Sequence, residues 1–336
     1  MTISLRAPAL ALGLVLGCAA EAPGIDVPDE NDGAAAGAAG AAGAASAPPE
    51  APHTPQALTP LFGDQGALPQ KEPDEPQRCR KVDFLYVVDN SASMVDEQEN
   101  LARSFVGFSH VVQQTLGDID RQIMVVDTDD TNVTDIVSET GNMCDGRLGA
   151  GTRMSWQGQS CGMPADQRFM RNDQTNLEET FSCLAKVGTL GNVDERPMEA
   201  LLRATGATVS DLDEECNAGF LRDDALLVIT IITDEEDEKS KGDPESWKRA
   251  LLAMKNGNEH ALVVLGLLGD THVPGGLPGG PCDPLYASDS PRLRHFVEGF
   301  ELGSLGSVCA DDYSEFFAQA VSTIDTACAE FEPMLH

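Results

Sequence analysis

The sequence predicts an α/β fold, a doubly wound and mostly parallel central sheet flanked by helices and carrying disulfide-bonded loop insertions. Three observations point there. Four apolar runs, residues 82–88, 122–126, 225–233 and 261–268, are near-continuous rather than alternating, as strands buried on both faces of a parallel sheet require. Between and after them lie stretches with apolar residues at helical spacing, so strand and helix alternate along the chain. The cysteines beyond position 18 all fall in this same part of the chain.

The first residues read as a targeting segment. Residues 1–17 carry Arg6, an apolar run over 9–16 and the small residue Gly17 before Cys18. That run is under half the ~20 residues a spanning helix needs, so residues 1–17 are expected to be a signal peptide. Val15-Leu16-Gly17-Cys18 resembles a bacterial lipobox, which implies lipidation of Cys18 and, with Ala19 rather than Asp after it, an outer-membrane lipoprotein of the cell envelope. Residues 18–76 are dominated by Ala, Gly, Pro and acidic residues. They lack the aromatic and β-branched side chains that offset ordering entropy, and read as a disordered linker. Residues 77–333 remain for the folded domain.

Within that domain the strand over 82–88 is followed by a helix over 96–116, with Leu101, Phe105, Phe108, Val111 and Val112 on its apolar face. After the strand over 122–126 a helix is expected over 198–207, with Met198, Leu201 and Leu202. The strand over 225–233 precedes a helix over 244–255, with Trp247, Leu251 and Met254. Beyond the strand over 261–268, a last helix over 313–331 carries Phe316, Phe317, Ala320, Val321 and Ile324.

Each strand is closely followed by an acid: Asp89, Asp127, Asp234 and Asp270. In an open α/β sheet ligands bind outside the carboxyl ends of the strands, so these acids are expected on one rim. The first begins Asp89-Asn90-Ser91-Ala92-Ser93, which resembles the D-x-S-x-S signature of von Willebrand factor type A domains. That resemblance implies a metal-ion-dependent adhesion site, with Asp89, Ser91 and Ser93 on a divalent cation and Asp234 as the second metal-associated acid. The residue types suit Mg²⁺ (or Mn²⁺/Ca²⁺), a hard ion that takes oxygen ligands and keeps several waters. Such a site leaves the ion electrophilic, able to accept a carboxylate from a partner. A competing expectation is that Ser91 or Ser93 caps the following helix.

The family also offers a Thr on a separate loop. Here Thr189 matches by residue type and is taken as the further metal-site residue, with Glu195, which lies nearer the expected place, as the alternative. Similarity to exported, cysteine-containing type A-domain proteins of Gram-negative bacteria extends over most of residues 79–333, including 188–200, 217–222 and 306–309. The acidic run over 234–238 reads as a solvated loop beyond Asp234. Residues 127–130 begin like an EF-hand loop, but Asn132 and Ser138 stand where its Gly and Glu belong.

With 22 Lys and Arg against 55 Asp and Glu, the net charge is −33, which repels phosphate backbones and argues against a nucleic-acid partner. Setting Cys18 aside leaves Cys79, Cys144, Cys161, Cys183, Cys216, Cys282, Cys309 and Cys328, an even set that reads as disulfides in an exported protein. The expected pairs are Cys144–Cys161, Cys183–Cys216, Cys282–Cys309 and Cys79–Cys328, although spacing does not fix them. No G-x-S-x-G, H-E-x-x-H or P-loop is present, and none of the six histidines has a partner at catalytic spacing. The expectation is therefore a non-enzymatic binding module for a protein or surface ligand with an acidic group, membrane-held through its lipid. The alternatives are an envelope scaffold with a structural metal and, further off, a hydrolase.

Overall fold

Why the sheet sits where it does follows from the first strand. Residues Phe84, Tyr86 and Val88 of β1 (Lys81–Val88) enter one hydrophobic cluster, and Leu85 and Val87 enter another. Side chains alternate across a strand, so a continuous apolar run must be covered on both faces. In the computed structural model, which describes residues 79–130, 140–192, 194–208, 212, 215–273, 277–278, 282–283, 285 and 287–331, this is achieved with three layers. All of these residues lie in the second of the two units into which the chain divides, Met1–Leu68 and Pro69–His336. The expected signal peptide, the linker with Cys18, and residues 332–333 lie outside the described residues.

The central sheet has six strands in the order β3-β2-β1-β4-β5-β8. Besides β1 they are β2 (Asp120–Asp127), β3 (Met170–Arg171), β4 (Leu226–Thr233), β5 (Leu262–Leu268) and β8 (Gly303–Ser307). Every pairing is parallel except that of the edge strand β3 with β2. Two short segments, β6 (His272–Val273) and β7 (Leu277–Pro278), pair antiparallel apart from it. The expected α/β architecture with a mostly parallel sheet is therefore present.

Among the described residues three helices cover each face. On one side α1 (Val95–Leu116), α2 (Leu177–Leu184) and α6 (Ser314–Glu330) bury Phe105, Phe108, Phe181 and Phe317 in one cluster with residues of the sheet. The Phe105 and Phe181 rings stack with centroids 3.6 Å apart, and Tyr86 meets Phe181 edge-on at 4.8 Å. On the other side α3 (Pro197–Ala204), α4 (Pro244–Met254) and α5 (Pro291–Glu298) contribute Met198, Leu201, Trp247, Leu251 and Phe296. Among the described residues no helix is long and apolar enough to cross a membrane.

Four disulfides are formed, and two of the expected pairs are corrected. Cys79–Cys328 ties the start of β1 to the end of α6, and Cys282–Cys309 also forms as expected. The other four pair as Cys144–Cys216 and Cys161–Cys183, not Cys144–Cys161 and Cys183–Cys216. The reason is spatial. The insertion between β2 and α2 spreads over the sheet and is fastened at one point to the segment before β4 and at another to α2. It is not closed on itself.

Candidate metal centre

The chain leaves β1 at Asp89, whose backbone N–H donates to the Ile232 carbonyl of β4, 3.0 Å away. This keeps the two strand ends together, so Asp89 and Asp234 emerge side by side. Asp89 is fully buried. Its Oδ1 accepts from the Ser91 backbone N–H at 2.7 Å and its Oδ2 from the Thr233 hydroxyl at 2.5 Å. The Ser91 and Ser93 hydroxyl oxygens lie 3.2 Å apart.

Neither serine caps α1. The residue before that helix is Met94, which makes no side-chain cap hydrogen bond. The hydroxyls turn toward the acids instead, Ser91 toward Asp89 and Ser93 toward Asp234.

A second loop closes over the first. Gln98 of α1 donates from Nε2 to the Asp89 carbonyl at 2.9 Å and to the Gly188 carbonyl at 2.7 Å. The Gly191 N–H donates to the Asn90 carbonyl at 3.0 Å. A Cβ on Gly191 would lie 2.3 Å from Asn90 Oδ1, so only glycine permits this approach. Thr189, half-buried, sits on this loop and lines a cleft together with Asn90. It makes no hydrogen bond to Asp89, Ser91, Ser93 or Asp234.

Farther along the same segment Glu195 turns inward. Its Oε2 accepts from the Thr128 hydroxyl beyond β2, and the Arg196 N–H donates to the Thr128 carbonyl at 2.8 Å. Its other oxygen, Oε1, is buried without a partner, as is Oδ1 of Asp234. These two orphaned carboxylate oxygens are the main electrostatic fact of the site, because a buried acceptor without a partner is costly.

The acids shift accordingly. Burial, with Asp89 beside it, pushes Asp234 up to about 7, and the Ser93 hydroxyl only partly offsets this. Burial and the charge of Asp89 drive Glu195 far above the usual carboxylate range. Burial also raises Asp89 itself, against the opposing hydrogen bonds from Thr233 and Ser91. Asp127, at the end of β2, is pushed up to about 8 by burial and by Asp129. Asp270 stands apart, accepting from the Cys282 N–H at 3.3 Å.

Among the described residues no three His, Cys, Asp or Glu side chains by themselves make a metal cage. Asp89, Ser91, Ser93 and Asp234 nevertheless gather at the carboxyl ends of β1 and β4. They offer oxygen donors only, two of them hydroxyls, and the orphaned Asp234 and Glu195 oxygens call for a proton or a cation. That chemistry fits a small hard divalent ion.

The rest of the acidic run is solvated only in part, with Glu238 exposed and Asp237 turned inward. Asp237 is fully buried and accepts from the Met198 N–H at 2.9 Å and the Ser240 N–H at 2.8 Å, so it satisfies the start of α3. Glu236 accepts from the Arg292 N–H at 2.8 Å, and the Arg292 guanidinium packs 4.7 Å from the Trp247 ring centroid. Asp237→Ala strands two buried donors and is expected to cost about 1–3 kcal/mol in urea unfolding. Glu238→Ala, at an exposed neighbour, should stay within about 0.5 kcal/mol.

Three histidines contact surface glutamates, His110 with Glu178, His260 with Glu330 and His295 with Glu245. None of these pairs involves a serine or cysteine nucleophile.

No protein-family model matches the chain, and no curated protein matches it. Among solved structures it is similar to the proximal thread matrix protein 1 from the mussel byssus, at 12% identity and a TM-score of 0.34. The match covers 75% of this chain and 49% of that one, so the chain spans about half the length of that protein's structure.

Proposed function

We propose that the chain is an exported, lipid-anchored protein built on a von Willebrand factor type A-like domain, and that it binds a protein or surface ligand through a divalent cation. Asp89, Ser91, Ser93 and Asp234 would hold the cation. The observation that carries this reading is the convergence of these four side chains at adjacent strand ends, with Asp234 Oδ1 buried and unpartnered. Bound there, Mg²⁺ or Mn²⁺ would supply a Lewis-acidic centre whose open coordination position could take a carboxylate from the ligand.

The protein's own groups divide the work. Thr233 and the Ser91 amide fix the Asp89 carboxylate. Gln98 ties the Asp89 backbone to the Gly188 loop and keeps the site shape. For the remaining position Glu195 is favoured over Thr189, since its Oε1 is buried without a partner and it lies near enough to Asp89 for that charge to raise it.

The test is calorimetric titration of the full chain with Mg²⁺ and with Mn²⁺. Asp89→Ala is expected to weaken binding at least tenfold, about 1.4 kcal/mol. Equal affinity in the variant would sink the assignment. Thr189→Ala and Glu195→Gln, measured the same way, decide which of the two belongs to the site.

A further inference from the structure

Beside the metal loop lies a cleft of about 400 Å³. Asn90 and Asp127 line it from the sheet, and Arg153, Trp156 and Arg168 line it from the insertion between β2 and α2. The insertion is firmly held. The Thr152 N–H and hydroxyl both donate to the Val125 carbonyl, at 2.8 and 3.1 Å. Asn217 accepts from the Gly151 N–H at 2.9 Å and donates to the Gly149 carbonyl at 2.8 Å. Cys144–Cys216 and Cys161–Cys183 fasten it at two further points.

Its charges do not balance. Asp145 accepts from Arg153 Nε at 3.0 Å and Nη2 at 2.7 Å, and also from Arg168 Nη2 at 2.6 Å. On the insertion two guanidiniums share this one carboxylate, a local excess of positive charge in a chain of net charge −33, with Asp127 the acid that lines the cleft from the sheet. Arg168 is the interior member, 6% exposed, and its Nη1 donates to the Gly151 carbonyl at 2.9 Å. Arg153 is 16% exposed, and its Nη1 has no partner among the described residues. A guanidinium with an open N–H edge is suited to a second carboxylate.

An aromatic side chain stands next to it. The Ser155–Gln159 turn, closed by Ser155 N–H to the Gln159 carbonyl at 2.9 Å and Gly158 N–H to the Ser155 carbonyl at 2.8 Å, holds Trp156 at the cleft lip. Trp156 is 54% exposed and rests on Gly188, where an added Cβ would lie 2.6 Å from the Trp156 Cβ. Two positions on, Leu190 is 81% exposed. Exposed tryptophan beside an arginine is the composition of binding hot spots.

We propose that this cleft is the second half of the ligand site and takes an acidic peptide segment, Arg153 pairing with one acidic side chain while Trp156 covers the adjoining apolar stem. Another acidic group of the same segment reaches the metal loop. The proposal rests on the reading of that loop as ligand-binding, and it narrows the ligand to a peptide with at least two carboxylates.

The probe is hexaglutamate, with hexaglutamine as its neutral counterpart, titrated calorimetrically into the full chain at low salt with Mg²⁺ or with EDTA. Hexaglutamate is expected to bind with Mg²⁺ and hexaglutamine not to bind. Arg153→Gln should weaken hexaglutamate at least tenfold and leave Mg²⁺ affinity unchanged, with Arg153→Lys recovering part of the loss. Trp156→Ala, at an exposed position, should weaken the peptide without moving the melting temperature. No hexaglutamate binding, equal binding of both peptides, or wild-type affinity in both Arg153→Gln and Trp156→Ala overturns the proposal while leaving the metal centre standing. Arg153-dependent binding that persists in EDTA supports the cleft and counts against the metal loop instead.

Discussion

Arg222→Leu is expected to destabilise the domain by about 3–5 kcal/mol, because it strands a fully buried carboxylate. Asp83 lies inside β1 with no exposure, and Arg222 is its partner. The Arg222 N–H donates to Asp83 Oδ2 at 2.9 Å and its Nε to Oδ1 at 2.8 Å. The same guanidinium pairs with Asp120 at 2.7 Å and donates to the Asp120 carbonyl at 2.9 Å, tying the starts of β1 and β2 to the segment before β4.

Burial already pushes Asp83 up to about 6 against the pull of Arg222. Removing the guanidinium raises it further. A carboxyl whose folded value is raised contributes stability fully present below its unfolded value and lost as pH rises through the folded one. The penalty of Arg222→Leu should therefore be smallest near pH 4 and grow above pH 6. Adding Asp83→Asn removes the stranded charge, so the double variant should recover part of the loss at pH 8. Urea unfolding of the two single variants and the double one measures the coupling directly. A loss below about 1 kcal/mol at pH 8 would show that water or Lys255 carries Asp83 without Arg222.

That pair also shows where sequence patterning stops. The strand holding Asp83 is obvious from its neighbours, but its partner is 139 residues away and nothing local points to it. β1, β2, β4 and β5 could be read because strands buried on both faces leave an unbroken apolar run. β8 could not, since Gly303–Ser307 holds a single large apolar residue, Leu305. Its glycines serve close packing instead: a Cβ on Gly303 would lie 2.1 Å from the Val297 carbonyl, and one on Gly306 would lie 2.6 Å from the Phe316 ring. α2 and α5 were not read from the sequence, although Phe181 and Leu184, and Leu293, Phe296 and Val297, stand at helical spacing.

The candidate site divides in the same way. Asp89, Ser91 and Ser93 share one local loop, and Asp234 ends an unmistakable strand. Gln98, Thr233 and the inward turn of Glu195 depend on how separate segments meet. Asp237 was hidden by its acidic neighbours, since composition cannot say which member of a run faces inward to satisfy a helix start.

The largest pH effect is expected in the metal centre without its cation. Asp234 rises from 3.8 to about 7 on folding, and Glu195 is raised beyond its ordinary 4.5 as well. Both therefore keep a proton in the folded protein at pH values where the unfolded chain has released it. Their contribution is fully present below about pH 4, the unfolded value, and is lost as pH rises through about 7 for Asp234 and through the raised value of Glu195.

In EDTA the unfolding free energy, and the melting temperature with it, should fall across this window, with a slope on the order of 2–3 kcal/mol per pH unit while both groups differ by a proton from the unfolded chain. A divalent cation replaces those protons, so stabilisation by Mg²⁺ should be small at pH 5 and large at pH 8. Binding should release protons, seen as a buffer-dependent heat. The net charge of −33 adds a general loss of stability with pH, so the decisive comparison is Glu195→Gln. That variant removes one titrating group from the centre and should flatten the EDTA curve, leaving the remaining slope to Asp234 and the other raised acids, Asp89, Asp127 and Asp83. Identical slopes in the variant and the parent would place the titration elsewhere, and with it the demand for a cation that the two orphaned oxygens express.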